Sequence, residues 1–454
     1  MRTFTTSSTF PVSTQTLFDY HKRPGVLQRL TPAWSPVEVL RQGKGIDVGV
    51  EVHLKMKIAG VPVELHVEHT QYDEGVLFVD EQRRGPFRSW HHEHKVEPAP
   101  GGGSRLIDTI QYELPMGFLG SMGNGKAARD LERLFRFRHA RTLNDLVRLE
   151  RGAHKRPRTI AISGASGLIG RALTSFWKMA GVTVIPLVRR DVRSEEKAIS
   201  WDPQHGTMDG KKLEGVDVLV HLAGENVGSG RWTPKRKAQI LESRRDGTRL
   251  LAETLASLKT PPSLFVSASA VGIYGATAED AVETSSPGDD FLAEVGKAWE
   301  SGAEPAREAG IPVVHPRLGV VLSASGGALG RMIGPFKAGV GGVVGSGNQW
   351  LSWITKEDVV GIFDWLVTHD IEGPVNCVAP APASNREFTQ ALGEALGRPT
   401  VFPLPGTVVK ALFGEKGESL LLAGPKALPK VLVGSNYPFL YPDLLEGIQF
   451  SLGD

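Results

Sequence analysis

The chain has 454 residues, 41% hydrophobic and 22% charged, with a formal net charge of +2 at pH 7. That length implies about three domains, though doubly wound folds often run longer, and the composition supports buried cores and argues against disorder. A near-neutral chain with dispersed basic residues argues against nucleic-acid binding, and a single cysteine, Cys377, rules out an intramolecular disulfide. The opening residues lack the apolar core of a signal peptide, and no run approaches the ~18 apolar residues of a membrane helix, so a cytoplasmic protein with no membrane span is expected.

In chain order, a short helix should follow Ser13 or Thr14, carrying Leu17, Phe18 and Tyr20. Val48, Val50, Val52, Leu54, Met56 and Ile58 then alternate with polar residues or glycine, a half-buried strand. Gly60 breaks the run and Val61, Val63, Leu65 and Val67 resume it, which reads as a hairpin. Further strands fit residues 76–83, 87–96 and 106–114, and a helix fits 126–149, with Ala127, Leu131, Leu134 and Phe135 at helical spacing. A curved antiparallel sheet around one long helix can enclose an apolar ligand. On the strand at 87–96, His92 and His94 share a face with Trp90, while His91 and Glu93 share the other. Two histidines at i and i+2 can bind zinc but have no third ligand close in sequence, so the strand reads as a polar pocket lining and no metal is expected.

Residues 151–157, Arg-Gly-Ala-His-Lys-Arg-Pro, are basic and aperiodic and read as a solvated linker between a domain at 1–150 and one at 158–454. Beyond them short apolar strands alternate with helices, at 159–163, 182–188, 216–222, 263–267 and 313–316, the pattern of a parallel sheet covered on both faces. Directly after the first of these comes Gly164-Ala165-Ser166-Gly167-Leu168-Ile169-Gly170, opening a helix. In that context the glycines form a dinucleotide-binding turn: one for the bend, one for backbone approach to the pyrophosphate, one for helix packing. Where an NAD-binding chain carries an acid for the ribose hydroxyls, this chain has Val188-Arg189-Arg190. Arginine offers charge-assisted hydrogen bonds to a 2′-phosphate, so NADP(H) is the expected cofactor.

The GxxGxxG spacing, Leu222-Ala223-Gly224-Glu225-Asn226, and 267–275 with Ser269 and Tyr274 resemble the extended short-chain dehydrogenase/reductases. More narrowly, Ser200-Trp201-Asp202, Arg231-Trp232-Thr233, Ser243-Arg244, 346–354, 375–380 and the tail at 403–450 resemble the atypical epimerase-like branch, often labelled sugar-nucleotide epimerases or cell-division inhibitors. The resemblance implies a doubly wound Rossmann sheet with a substrate-side segment at about 330–454. It also implies cofactor contacts from Leu222, Ala223, Gly224, Arg244 and Pro316, and a small-molecule substrate. Residues 85–94 and 108–115 resemble START-like, polyketide-cyclase-like domains, which implies an α+β helix-grip fold and a hydrophobic ligand. The oligomeric state stays open, a homodimer included.

The catalytic set is incomplete by this comparison. Ser269 falls at the serine that orients the carbonyl, and Lys297 at the lysine that holds the nicotinamide ribose. The tyrosine expected four residues before the lysine is Ala293, which should then lie near Ser269 and face the nicotinamide. Tyr274 reads mainly as packing, and nothing positions Glu225 or Glu283 as an acid. The chain therefore reads as an NADP-dependent epimerase- or oxidoreductase-like enzyme, with an NADP-binding sensor coupled to the N-terminal ligand domain as the alternative.

Overall fold

The computed structural model describes residues 1–35, 37–58, 61–114 and 124–453. They form two compact units, one mainly Met1–Ala153 and the other His154–Thr174 with Val182–Leu452.

The first unit is one antiparallel sheet and a long helix. Its strands are β1 (Arg2–Phe10), β2 (Val37–Gln42), β3 (Glu51–Ile58), β4 (Val61–Asp73), β5 (Leu77–Arg84), β6 (Ser89–Pro98) and β7 (Ser104–Glu113). They are ordered β1-β7-β6-β5-β4-β3-β2. The helix α1 (Thr14–Lys22) starts where the Ser13 hydroxyl accepts from the Thr16 amide at 3.1 Å. Gly60 lies outside the described residues, but β3 and β4 pair through Ile58 and Val61 as the hairpin requires. Alternation is strict in β7, which turns Leu106, Asp108, Ile110 and Tyr112 inward. Helix α2 (Asn124–Gly152) lays Leu131 and Phe135 on Ile110 and Tyr112, with Phe4 and Trp90 at the margin. This is the helix-grip arrangement.

Two departures from the sequence reading stand out. β1, Arg-Thr-Phe-Thr-Thr-Ser-Ser-Thr-Phe, pairs along its full length with β7 although its inward face includes Thr6 and Ser8. The basic segment 151–157 is not a solvated connector throughout: its first two residues belong to α2. The Arg156 side chain is 6% exposed, with Nε 2.8 Å from Asp364 Oδ1 and Nη2 2.7 Å from Asp364 Oδ2. A buried bidentate pair fixes this residue to the second unit.

The second unit is a doubly wound parallel sheet. Its strands include β8 (Thr159–Ser163), β9 (Thr183–Val188), β10 (Ile199–Asp202), β11 (Thr207–Met208), β12 (Val218–His221), β13 (Leu264–Ser267), β14 (Ser269–Ala270), β15 (Asp280–Ala281) and β16 (Val313–Leu318). The path β10-β9-β8-β12-β13-β16 reverses direction between β8 and β12, and a strand at Gly373–Cys377 extends it beyond β16. The five strands expected from sequence are present, while β10 and Gly373–Cys377 are additional. Residues 189–198 join β9 to β10 without a helix. Ala161, Leu219, Leu251, Phe265 and Val313 belong to a continuous core on one face. Pro316 lies within β16 and is paired with Val375 of the Gly373–Cys377 strand. On its other side β16 pairs with β13 at Val313 and Val314 and with β14 at Arg317 and Leu318, so Pro316 falls between those two ladders, where a residue without an N–H is tolerated. Among the described residues no helix is long and apolar enough to cross a membrane.

Candidate functional site

The reversal between β8 and β12 opens a crevice at the carboxyl ends of these strands, the place where doubly wound sheets receive ligands. Two loops meet there. The first is the glycine turn from β8 into α3 (Leu168–Met179). Gly164 has φ +71°, a left-handed conformation that L side chains rarely adopt, and a Cβ on it would lie 3.0 Å from the Ala223 amide nitrogen. Gly167 donates to the Gly164 carbonyl at 2.9 Å and is exposed, leaving the backbone approachable. A Cβ on Gly170 would stand 2.1 Å from the Gly164 carbonyl oxygen, so only glycine lets the helix pack on the turn. Ala165 and Ser166 line the bend, and the first amides of α3, including Leu168 and Ile169, have no carbonyl within the helix to bind. Such amides, with the helix dipole, suit an anion.

Ser163 and His221 brace the two loops from below. Ser163 Oγ lies 2.6 Å from His221 Nδ1 and accepts from the Leu222 amide at 3.2 Å. His221 is fully buried, and burial, reinforced by the charge of Arg244, pushes its pKa down to about 3, so it is neutral. Neither residue carries a motif, and they are 58 positions apart, so sequence inspection passed over them.

At the end of β9, Val188 is half-buried and Arg189 exposed. Arg190 is committed to Glu196, whereas Arg189 has no hydrogen bond or ion pair among the described residues. Of the two adjacent arginines, Arg189 is the one available to an anionic ligand.

The second loop, 222–229, is held by α4 (Pro234–Ala256). Arg236 pairs with Glu225 at 2.9 Å and donates to the Asn226 carbonyl at 2.8 Å, and Ser243 Oγ accepts from the Glu225 amide at 3.1 Å. Arg244 is buried, donates to the Glu225 carbonyl at 3.0 Å and lies over the Trp299 ring at 4.6 Å. Burial lowers its pKa to about 10, still a cation at neutral pH. A Cβ on Gly224 would sit 3.2 Å from its guanidinium carbon, so Arg244 supports the loop on which Leu222, Ala223 and Gly224 stand.

The other expected site residues are arranged differently. Ser269 is buried on β14, beside Arg317 of β16. Its hydroxyl makes no well-formed hydrogen bond among the described residues, though it lies close enough to Glu300 to favour the carboxylate. Burial pushes Glu300 up, but the bidentate Arg317 pair, at 2.7 and 2.8 Å, holds it below the usual range. Arg317 also donates to Tyr274 Oη at 2.8 Å, and Tyr274 donates to Asn376 Oδ1 at 2.7 Å. Burial raises the Tyr274 pKa.

Helix α5 (Phe291–Ser301) begins where Asp290 accepts from the Ala293 amide at 2.8 Å. Ala293 is fully enclosed, so it does not face an opening as expected. Lys297 is exposed and donates to the Gly288 carbonyl at 3.3 Å. No hydrogen bond or ion pair links Ser269 to Lys297 among the described residues. Glu283 Oε1 accepts from the Asn376 and Val431 amides, and Cys377 is buried, its thiol pushed up by desolvation.

Comparison with known proteins agrees with this division. The model of the NAD dependent epimerase/dehydratase family matches residues 160–378, a domain of unknown function (DUF1731) matches 404–449, and polyketide cyclase / dehydrase and lipid transport matches 1–147. An epimerase family protein of Mycobacterium bovis is 39% identical over 294 residues, 64% of this chain and 97% of its own. The crystal structure of a nucleoside-diphosphate sugar epimerase from Corynebacterium glutamicum superposes with TM-score 0.81 at 32% identity, covering 99% of this chain and 90% of that one. That of the human epimerase family protein SDR39U1 (isoform 2) with NADPH gives TM-score 0.60 at 34% identity, covering 65% of this chain and 99% of that one.

Proposed function

Because the chain belongs to the NAD dependent epimerase/dehydratase family, behind a polyketide-cyclase-like domain, we propose that its second unit binds NADP(H) and uses it on a small substrate in the cytoplasm. The observation that carries the cofactor preference is Arg189: exposed and unpaired among the described residues, it directly follows the strand whose tip reads the adenosine ribose. The pyrophosphate would rest on Gly164–Gly170 and the first turn of α3. Leu222, Ala223 and Gly224 would border the adenosine, with Arg244 supporting them, and Pro316 would lie toward the nicotinamide. Bound there, the cofactor supplies or accepts a hydride. The human relative was crystallised with NADPH, which supports the same choice here. The Corynebacterium relative makes nucleoside-diphosphate sugars the first substrate class to test.

Calorimetric titration with NADPH and NADH tests the preference. NADPH should bind at least tenfold more tightly, and equal affinities would overturn the reading.

A second reading, an NADP-binding sensor with little turnover, is favoured by one group of observations. Ala293 is enclosed, Lys297 rests on a backbone carbonyl, and Tyr274 is held by Arg317 and Asn376. General acid catalysis contributes about 10²- to 10⁴-fold, and its usual carrier is missing. Following NADPH absorbance with a panel of carbonyl and sugar-nucleotide substrates separates the readings. Turnover at ordinary dehydrogenase rates would exclude the sensor.

A further inference from the structure

The inward face of the first unit carries a cluster that the dinucleotide site does not use. Asp80 of β5 stands directly across from His92 of β6, and His94 of β6 directly across from Asp108 of β7. His92 and Asp108 are buried, and Asp80 and His94 are 13% exposed at the side chain. Strand alternation puts His92 and His94 on one face, and sheet register, which cannot be read from a single strand, delivers the carboxylates to them.

The distances describe a coordination site. His92 Nδ1 is 3.1 Å and His94 Nε2 3.2 Å from the same oxygen, Asp80 Oδ2. One ligand atom from each of Asp80, His92 and His94 lies within 4.8 Å of the others. Ligands held ~2.0–2.1 Å from a tetrahedral zinc ion are about 3.3–3.4 Å apart, close to the two separations from Asp80 Oδ2.

The far nitrogens of both rings converge on a second carboxylate. His92 Nε2 is 3.1 Å and His94 Nδ1 2.6 Å from Asp108 Oδ1. Asp108 Oδ2 is in turn 2.6 Å from His139 Nε2, and His139 Nδ1 is 2.8 Å from Ser8 Oγ. Asp80 Oδ1 accepts from the Trp90 indole at 3.3 Å. Histidines that bind a metal ordinarily give their other ring nitrogen to a carboxylate, and that partner is present for both.

A purely hydrogen-bonded network accounts less well for the cluster. Donation to both carboxylates from both rings would require two imidazolium ions with centroids 3.7 Å apart in a buried site. His94 Nδ1, despite its short approach to Asp108, lacks hydrogen-bond geometry. Neither Asp80 nor Asp108 has a lysine or arginine within ion-pair distance among the described residues, although Arg138 lies near enough to both to act on them electrostatically. A divalent cation facing the two carboxylates would leave both rings neutral.

We propose that Asp80, His92 and His94 hold a divalent first-row transition ion, with zinc as the reference, inside the N-terminal unit, and that Asp108 and His139 orient the two histidines. Three protein ligands leave a coordination position for an oxygen atom of water or of the small molecule that this domain binds.

The test uses full-length protein without an affinity tag of histidines, stripped with chelator and titrated with Co²⁺ and then Zn²⁺. One equivalent of Co²⁺ per chain should bind with a visible ligand-field absorption that Zn²⁺ bleaches. Asp80→Asn and His94→Gln should each abolish the absorption. His139→Gln should retain it with affinity reduced about 10- to 100-fold. His66→Gln, on the stacked pair His53–His66 outside the cluster, should change nothing. Failure of the folded wild-type protein to take up a stoichiometric ion overturns the proposal without recourse to any variant. An absorption that survives Asp80→Asn and His94→Gln, or follows His66, overturns it as well.

Discussion

The two ends of the dinucleotide crevice are built by opposite means. At the phosphate end, Gly164–Gly170 leave backbone amides approachable, and Arg189 projects without a partner among the described residues. At the expected nicotinamide end most polar groups are already paired, the Ser269 hydroxyl excepted: Arg317 binds Glu300 and Tyr274, Tyr274 binds Asn376, and Lys297 binds Gly288. Arg317, Glu300, Tyr274 and Asn376 form a buried paired network, and recruiting one of them for chemistry leaves its partner exposed to a desolvation cost. The contrast separates binding from turnover within one fold. It predicts that substitutions at the first end act on affinity and those at the second act on stability.

The largest effect should come from Gly170→Val. Its first added carbon would overlap the Gly164 carbonyl oxygen, a backbone atom that cannot step aside. Overpacking costs about 1–3 kcal/mol and occasionally more, and the displaced turn should weaken NADPH by about 100-fold if the fold survives. Titration with NADPH and thermal unfolding together measure it. Near-normal NADPH affinity would mean that the turn does not carry the phosphates.

Arg189→Asp comes next. Loss of a charge-assisted hydrogen bond of about 1.5–3 kcal/mol, with added repulsion, should weaken NADPH by about 10- to 100-fold and leave NADH unharmed. A parallel loss for both cofactors would point to the turn or to folding rather than to the 2′-phosphate.

Tyr274→Phe tests the other end. It removes the donor to Asn376 and the acceptor for Arg317, both buried, and should lower stability by about 1–3 kcal/mol. NADPH affinity should stay within a factor of about two. Were Tyr274 instead the replacement proton donor, any carbonyl turnover would fall by about 10²-fold or more with little change in stability, and a pH–rate profile would lose its basic limb.

The same contrast explains what could be read from sequence. The glycine turn was legible because its residues are contiguous and lie between a strand and a helix that hydrophobic periodicity identifies. Arg189 was legible because it directly follows such a strand. Ser163 and His221, or Glu300 and Arg317, meet only through the sheet and its packing, and nothing local marks them. β1 escaped notice because Thr6 and Ser8 interrupt its inward face, so pairing with β7 rather than apolar periodicity defines it. β10 is four residues long and follows a connection with no helix, which hides the usual alternation. In the first unit His92 and His94 were visible as a pair, but Asp80 joins them through cross-strand register.

The smallest effect should be that of Lys297→Met, and it is the most informative about the nicotinamide end. In a short-chain dehydrogenase arrangement the corresponding lysine holds the ribose, and its loss would weaken the cofactor by a charge-assisted bond, about tenfold or more. Here the ammonium is exposed and reaches the Gly288 carbonyl at a long 3.3 Å. Exposed polar contacts of this kind contribute about 0–1 kcal/mol. Methionine keeps the length and apolar stem of the side chain, so packing along α5 should persist. NADPH affinity is therefore expected to change by less than about threefold, and the unfolding midpoint by no more than a few degrees for a unit of this size. A tenfold loss in affinity at unchanged stability would show that Lys297 leaves Gly288 for the cofactor when it binds. The nicotinamide end would then be assembled by the ligand rather than locked against it, and the distinction between the two halves of the crevice would disappear.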